Sequence, residues 1–255
     1  MTEPALEIDA LDKNFGGLHA VNKVSFTVPH GSLTAVIGPN GAGKTTVFNL
    51  VTGLYRPDSG EARFYGTSLL DRSPVEVAAS GLVRTFQAAR IYPGMTALEN
   101  VLAGAHLHFR ASTVAQMLWL GSARREERAL TKRAEALLEL VGLKSFRDAA
   151  ATELPMGSQK LLEVVRALMA QPRLLLLDEP AAGLNDAETA ELAELLRAVR
   201  DAGISVVVVE HNMSLVMSVA DQVIVLDAGS VVASGSPREI QQDARVIAAY
   251  VGSEV

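Results

Sequence analysis

The chain has 255 residues, 49% of them hydrophobic, enough apolar material for one large core or two modest ones. Its formal net charge of −6 argues against a primary nucleic-acid binder, because such proteins usually carry a basic face. It has no cysteine, which excludes disulfides and thiolate metal sites.

The first residues, Met1-Thr2-Glu3-Pro4-Ala5-Leu6-Glu7, are acidic and lack the basic-then-apolar order of a secretory signal. No apolar run approaches the roughly 18–20 residues a membrane span needs. The longest, around Leu174 to Leu177 and Val206 to Val209, are of strand length. The chain is therefore expected to be soluble by itself, with any membrane role passing through partner subunits.

Residues 6–37 carry strand signals. Val24, Phe26 and Val28 alternate with Ser25 and Thr27, the period of a half-buried strand. Phe15 lies upstream in Asn14-Phe15-Gly16-Gly17, where an exposed ring would stack on a base and a buried one would be ordinary core. A turn at Pro29-His30-Gly31-Ser32 leads into the apolar run Leu33 to Ile37, read as a buried strand. That strand feeds Gly38-Pro39-Asn40-Gly41-Ala42-Gly43-Lys44-Thr45-Thr46, which matches G-x-x-x-x-G-K-[ST], and residues 46–54 read as a helix. Strand, glycine loop and helix form the context a phosphate-binding loop requires.

Gly38, Gly41 and Gly43 permit backbone conformations that a Cβ resists, so the N–H groups around Asn40 can wrap a phosphate chain. The helix start at Thr46 adds a partial positive charge. In such loops the lysine, here Lys44, reaches the β- and γ-phosphates, and the hydroxyl, here Thr45, binds Mg²⁺.

Beyond Pro57-Asp58-Ser59-Gly60, residues 61–65 read as a strand and 74–81 as a short helix. Arg84-Thr85-Phe86-Gln87 reads as a strand end, from which Gln87 is either a surface amide or a group beside the γ-phosphate or metal. From 97 to 142 Gly and Pro become rare. Arg124, Arg125, Arg128, Lys132 and Arg133 interleave with Glu126, Glu127 and Glu135 beside spaced leucines, the pattern of amphipathic helices with a solvated, salt-bridged face. Residues 90–170 are taken as a helical subdomain inserted in one domain of 6–252, whose segments 6–89 and 171–252 form the nucleotide core with its β layer.

A helix from Ser158 to Ala170 precedes Leu174-Leu175-Leu176-Leu177-Asp178-Glu179-Pro180. Four leucines imply a buried parallel strand, and ligands of open α/β sheets bind at such C-terminal ends. Asp178 is the expected Mg²⁺-associated carboxylate, acting through water. Glu179 would orient the attacking water or accept its proton. The plainer alternative is that both acids only begin a turn. Asn185 and Glu188 resemble a capping box. The strand Ile204 to Val209 ends at Glu210-His211-Asn212, where His211 could touch a γ-phosphate, although a solitary strand-end histidine is commonly inert. Residues 213–220 read as a helix, Gln222 to Leu226 as a strand, Asp227 to Ser230 as a hairpin turn, and Ser236-Pro237-Arg238-Glu239 as a second capping box.

In that order the chain resembles the nucleotide-binding subunit of an ATP-binding cassette (ABC) transporter over about residues 6–252. The motifs are Phe15, the loop 38–46, Gln87, the helical subdomain, the signature-like Leu154-Pro155-Met156-Gly157-Ser158-Gln159, Asp178-Glu179, Ala181-Ala182-Gly183-Leu184-Asn185 and His211. The resemblance implies an α/β P-loop NTPase fold with a parallel-sheet nucleotide core, a small antiparallel β layer and the inserted helical subdomain. It implies ATP and Mg²⁺ as ligands. Glu179, His211 and Gln87 become the catalytic group, and Thr45, Gln87 and Asp178 the metal group. It also implies a head-to-tail pair in which ATP on one loop is capped by the other subunit's signature segment at Gly157.

Closer traits resemble the LivG-type subunit of branched-chain amino-acid importers. They are Phe15-Gly16-Gly17-Leu18-His19-Ala20-Val21, Arg84-Thr85-Phe86-Gln87, Met95-Thr96-Ala97-Leu98-Glu99-Asn100-Val101, Leu177-Asp178-Glu179-Pro180-Ala181-Ala182-Gly183-Leu184-Asn185, the insert at 104–135 and the ending Val246-Ile247-Ala248-Ala249-Tyr250-Val251-Gly252. Partners implied are a second ATPase, LivF-like or a copy of this chain, and two integral membrane permease subunits. An external solute-binding protein acts indirectly, and nucleic acid is not a partner. The implied location is the cytoplasmic face of the cell membrane. Urea, amide or other solutes and a non-transport ABC ATPase are the alternatives within the family.

The signature departs from L-S-G-G-Q. Pro155 stands in place of its serine, Met156 and Ser158 also differ, and Gly157 remains. The expectation is a working but weaker cap, and with a LivF-like partner supplying the better signature, an asymmetric pair. Among other classes, a GTPase lacks its guanine reader, since Asn22-Lys23-Val24-Ser25 lies upstream of the loop without the Asp. A small-molecule kinase needs no signature segment, and a pure binding module would require that hydrolysis be lost.

Overall fold

Two hydrophobic patterns give two kinds of sheet. In the computed structural model, which describes residues 3–85, 91–106 and 121–251, the alternating N-terminal segments pair antiparallel and the continuous apolar runs pair parallel. Strands β1 (Leu6–Phe15), β2 (Leu18–Val28), β4 (Ser59–Phe64) and β5 (Thr67–Ser68) form a sheet in the order β2-β1-β4-β5. Val24, Phe26 and Val28 are buried on β2 while Ser25 and Thr27 face out, as the alternation requires.

Strands β3 (Leu33–Ile37), β6 (Leu82–Arg84), β7 (Leu174–Asp178), β8 (Ser205–Val209), β9 (Gln222–Asp227) and β10 (Ser230–Gly235) form the second sheet in the order β10-β9-β3-β8-β7-β6. Its pairs are parallel except for the β9–β10 hairpin. Every residue of β3, β7 and β8 is buried, which is what a sheet covered on both faces demands. The hairpin turns on Ala228 (φ 43°) and Gly229 (φ 77°), the two left-handed positions of a type I′ turn. β3 comes first in the chain yet lies between β8 and β9, so the strand order reverses at its C-terminal end. That is where open α/β sheets bind ligands.

The chain divides into two compact units. The first comprises Met1–Gln87, Arg173–Ala182 and Leu192–Val255 and holds both sheets. Its core joins Leu6, Ile8 and Leu11 of the antiparallel layer with Leu174, Leu176, Val207 and Ile224 of the parallel one. Helix α1 (Lys44–Val51) begins two residues before the expected start and contributes Val47, Phe48, Leu50 and Val51 to that core. Helix α2 (Pro74–Ala79) is started by a capping box of Ser73 and Glu76 with proline in the first turn.

The second unit comprises Ala88–Pro172 and Gly183–Glu191. Helices α3 (Ala97–Ala103), α4 (Gly121–Leu140) and α5 (Met156–Met169) pack a separate apolar cluster. Leu130, Ala134 and Leu138, four residues apart, present one buried stripe of α4 to Val101, Leu162 and Met169. Arg124, Arg125 and Arg128 lie on its exposed face. Helix α5 starts at Met156 rather than Ser158, because extended Pro155 (φ −51°, ψ 152°) is itself the N-cap.

The remaining helices are α6 (Asp186–Asp201), α7 (Met213–Val219), α8 (Pro237–Gln242) and α9 (Ala244–Val251). The Asn185–Glu188 and Ser236–Glu239 boxes expected from sequence start α6 and α8. No described helix is long and apolar enough to cross a membrane.

Candidate functional site

The turn out of β3 is shaped by what it must avoid. At Gly38 (φ 147°) a Cβ would lie 1.9 Å from the Leu226 carbonyl oxygen, and at Gly43 (φ 96°) a Cβ would lie 2.4 Å from the Ala20 carbonyl oxygen. The loop can therefore sit against β9 and β2 only as glycine. Helix α1 follows Gly43 with no side-chain cap and no acid in its first turn. Its first N–H groups and dipole are thus left for an anion. Asn40, Gly41, Ala42, Gly43, Lys44, Thr45 and Thr46 line a cavity of about 440 Å³ together with Leu18, His19, Ala20, Glu179 and Ala228. Pockets of this size accept small ligands.

The glycines can be separated by experiment. Gly38→Ala is expected to lower stability by about 3 kcal/mol or more, because backbone must move. Gly41→Ala, with open space around it but φ 82°, should cost only about 1 kcal/mol of backbone strain. Thermal unfolding of the two variants checks this, and equal losses would contradict the packing account.

Lys44 is buried, and its ammonium donates to the carbonyl oxygens of Gly38 (2.6 Å) and Pro39 (2.9 Å). An ammonium has three donors, so it can steady the loop and still reach a ligand. Burial lowers its pKa, while the carboxylates of Glu179 and Asp178 oppose that shift.

Asp178 ends β7 almost fully buried. One oxygen accepts a 2.8 Å bond from Arg84, whose guanidinium is itself buried and also bonds Asn49 at 2.6 Å. Its other oxygen, Oδ1, is buried without a hydrogen-bond partner among the described residues. An orphaned carboxylate oxygen is costly. It suits a metal-bound water or a metal ion, and the Thr45 hydroxyl on the cavity wall is of the right chemistry to share such an ion. These donors fit Mg²⁺.

Glu179 follows in the left-handed region, at φ 49°. This is strained for a residue with a Cβ. Consecutive strand side chains point to opposite faces, and the left-handed turn breaks that alternation. Glu179 thus reaches the cavity wall, where its Oε1 lies 2.7 Å from His211 Nε2. The pairing follows from strand register. Asp178 lies opposite Val209, and the Glu179 N–H donates to the Val209 carbonyl at 2.9 Å, so the ends of β7 and β8 emerge side by side.

Not every expected residue joins this group. Phe15 is not among the cavity-lining residues. Its ring, 40% exposed, stands edge-on to Tyr55 at 5.3 Å with Lys13 nearby. Leu18 and His19 line the cavity instead, and His19 is held by Asp12 at 2.9 Å. Gln87 lies outside the described residues. Gly157, in the second unit, is buried in the first turn of α5, where a Cβ would lie 2.4 Å from Glu188 Oε1.

Sequence reasoning missed Arg84 as the partner of Asp178 and gave Glu210 no role. Glu210 is 3% exposed, and burial pushes its carboxyl up despite backbone hydrogen bonds from Ala181, Asn212 and His211. Only its charge at the end of an apolar run signalled it.

Comparison with known proteins adds kinship. Residues 21–182 match the family model described as ABC transporter, and residues 230–255 match one described as branched-chain amino acid ATP-binding cassette transporter. The chain is 42% identical over 253 residues to the high-affinity branched-chain amino acid transport ATP-binding protein BraF of Pseudomonas aeruginosa, covering 99% of each. It is 39% identical, with the same coverage, to LivG of Escherichia coli K12. Among solved structures, the ADP conformation of MJ1267, an ATP-binding cassette of an ABC transporter, superposes with a TM-score of 0.85 at 30% identity, covering 98% of this chain and 99% of that one. A dimeric post-hydrolysis state of the cassette MJ0796 bound to ADP and Pi gives 0.76 at 26% identity, covering 91% and 99%.

Proposed function

The chain belongs to the ABC transporter family of ATP-binding cassettes, and from that premise we propose that it hydrolyses ATP to drive import of branched-chain amino acids through a membrane transporter. The observation that carries the chemistry is Glu179 on the wall of the phosphate-loop cavity, 2.7 Å from His211. A carboxylate so placed takes a proton from water, and a histidine beside it holds its orientation.

The loop from Gly38 to Thr46 would cradle the phosphates with backbone N–H groups, and Lys44 would meet the terminal two with its charge. Thr45 and Asp178 would hold Mg²⁺, which screens phosphate charge when bound. Gln87 would approach the γ-phosphate or the metal, and Phe15 would stack on the base from beside Tyr55. Gly157 would meet the γ-phosphate held by a partner ATPase paired head to tail; the related cassette MJ0796 is itself dimeric. That partner is LivF-like or a second copy. Two permease subunits would keep the pair at the cytoplasmic face of the membrane, with a solute-binding protein acting from the other side. The cargo reading rests on the relatives and on the match at 230–255.

The test is purification of tagged Glu179→Gln protein from its own cell in mild detergent with Mg-ATP. Two polytopic membrane proteins and a second short ATPase are expected, followed by ATP-dependent uptake of labelled leucine by the unaltered complex. Recovery of ribosomal or DNA-repair proteins would replace transport with a non-transport ABC role. Uptake of urea but not leucine would overturn the cargo.

A further inference from the structure

Glu210 is a buried carboxylate that the reaction described above does not use. Its Oε1 accepts the Ala181 N–H at 2.7 Å, and its Oε2 accepts the N–H groups of His211 at 3.0 Å and Asn212 at 3.2 Å. Burying a charge costs free energy that an apolar side chain would not incur, and hydrogen bonds offset only part of it. The cost is justified by what the two edges of this carboxylate hold. One edge grips the chain two residues after Glu179, and the other grips the backbone of His211.

The place is significant because the sheet stops there. The β7–β8 ladder ends at the Asp178–Val209 pair, with one further bond from the Glu179 N–H to the Val209 carbonyl. Beyond it neither the segment carrying Glu179 nor the one carrying His211 continues as strand. The Glu210 side chain continues the cross-strand connection after the backbone pairing has ended. We propose that Glu210 is a positioning residue for hydrolysis, which fixes Glu179 and His211 relative to each other by bonding both of their loops with one carboxylate. The inference rests on the ATPase reading above.

A glutamine has one accepting edge and one donating edge. It can hold one loop but meets the other donor with its own N–H. In Glu210→Gln the Glu179–His211 geometry should therefore loosen while the phosphate loop is untouched. The expected result is a fall in kcat of roughly 10- to 100-fold, the scale of a small misplacement of a reacting group. Affinity for an ATP analogue should stay within about twofold, since binding and chemistry are lost separately only when the phosphate contacts survive.

The measurement is phosphate release and equilibrium nucleotide binding on the full chain, purified with the subunits that accompany it. Glu210→Asp keeps the charge but shortens the reach by one methylene, and it should show the same split. Unchanged kcat in either folded variant, or equal losses of kcat and affinity, overturns the proposal. Amide hydrogen exchange of the unaltered chain needs no variant. The Ala181, His211 and Asn212 amides should be protected together, and free exchange at Ala181 also overturns it. If the unaltered chain does not hydrolyse ATP, the functional reading fails and takes this inference with it. Hydrolysis by the unaltered chain at a rate matched by Glu210→Gln defeats the inference alone.

Discussion

Glu179→Gln is expected to lower ATP turnover by about 10²- to 10⁴-fold, the range a positioned general base supplies. The amide keeps the size and hydrogen-bonding reach of the carboxylate, so the 2.7 Å partnership with His211 can persist in altered form. Backbone strain at φ 49° is the same for both residues and does not confuse the comparison. What disappears is the ability to take a proton. Phosphate release at saturating Mg-ATP measures the loss. Nucleotide affinity should hold or rise, because Glu179 contributes negative charge to the cavity wall and its removal relieves repulsion with phosphate. Turnover within about fivefold of the unaltered chain would remove Glu179 from the role of base.

Lys44→Ala is expected to act earlier, on binding. The side chain supplies a buried positive charge on the cavity wall, and the charges acting on it, those of Glu179 and Asp178, are negative. Without it a phosphate chain would meet the Glu179 carboxylate and no cation from the loop. Charge-assisted hydrogen bonds contribute about 1.5–3 kcal/mol each. Loss of even one should therefore weaken ATP binding by an order of magnitude or more, and loss of contacts to two phosphates by about 10²-fold or more. The loop is affected as well, since the Gly38 and Pro39 carbonyls lose their donor. Titration with a fluorescent ATP analogue reads the first effect and thermal unfolding the second. Affinity unchanged in a folded Lys44→Ala chain would show that the lysine serves only the loop.

These two variants separate parts of the site that differ in how they are encoded. The phosphate loop is contiguous. Its glycines, lysine and threonines occupy neighbouring positions, and an apolar strand before and a helix after complete the local geometry. The same holds for Asp178-Glu179 at the end of four leucines, and for the capping boxes at Asn185 and Ser236. Local chemistry acts over a few residues, so a few residues disclose it.

The partners of these groups are not local. Arg84 lies 94 positions from Asp178, and Glu210 lies 29 from Ala181. An arginine at a strand end and a glutamate before a histidine carry no sign of which buried group they will meet. Likewise the sequence leaves Phe15 open between stacking and core, and the fold sets its ring against Tyr55 and lines the cavity with Leu18 and His19.

By itself the sequence determined the strands, the helix caps and the phosphate-binding loop, because alternation, apolar runs, glycine loops and caps are properties of short segments, and the order of its motifs carried the resemblance to an ABC cassette. The tertiary structure decided how the charges are arranged at the sheet end. Strand order places β7 beside β8 and β8 beside β3, and only that order brings Asp178, Glu179, Glu210 and His211 to one edge. That Asp178 pairs with Arg84 through one oxygen and keeps the other without a partner among the described residues, and that Glu210 bridges two loops, follows from which strands lie side by side, since the energy of a buried charge depends on what lies across from it rather than on its neighbours in the chain.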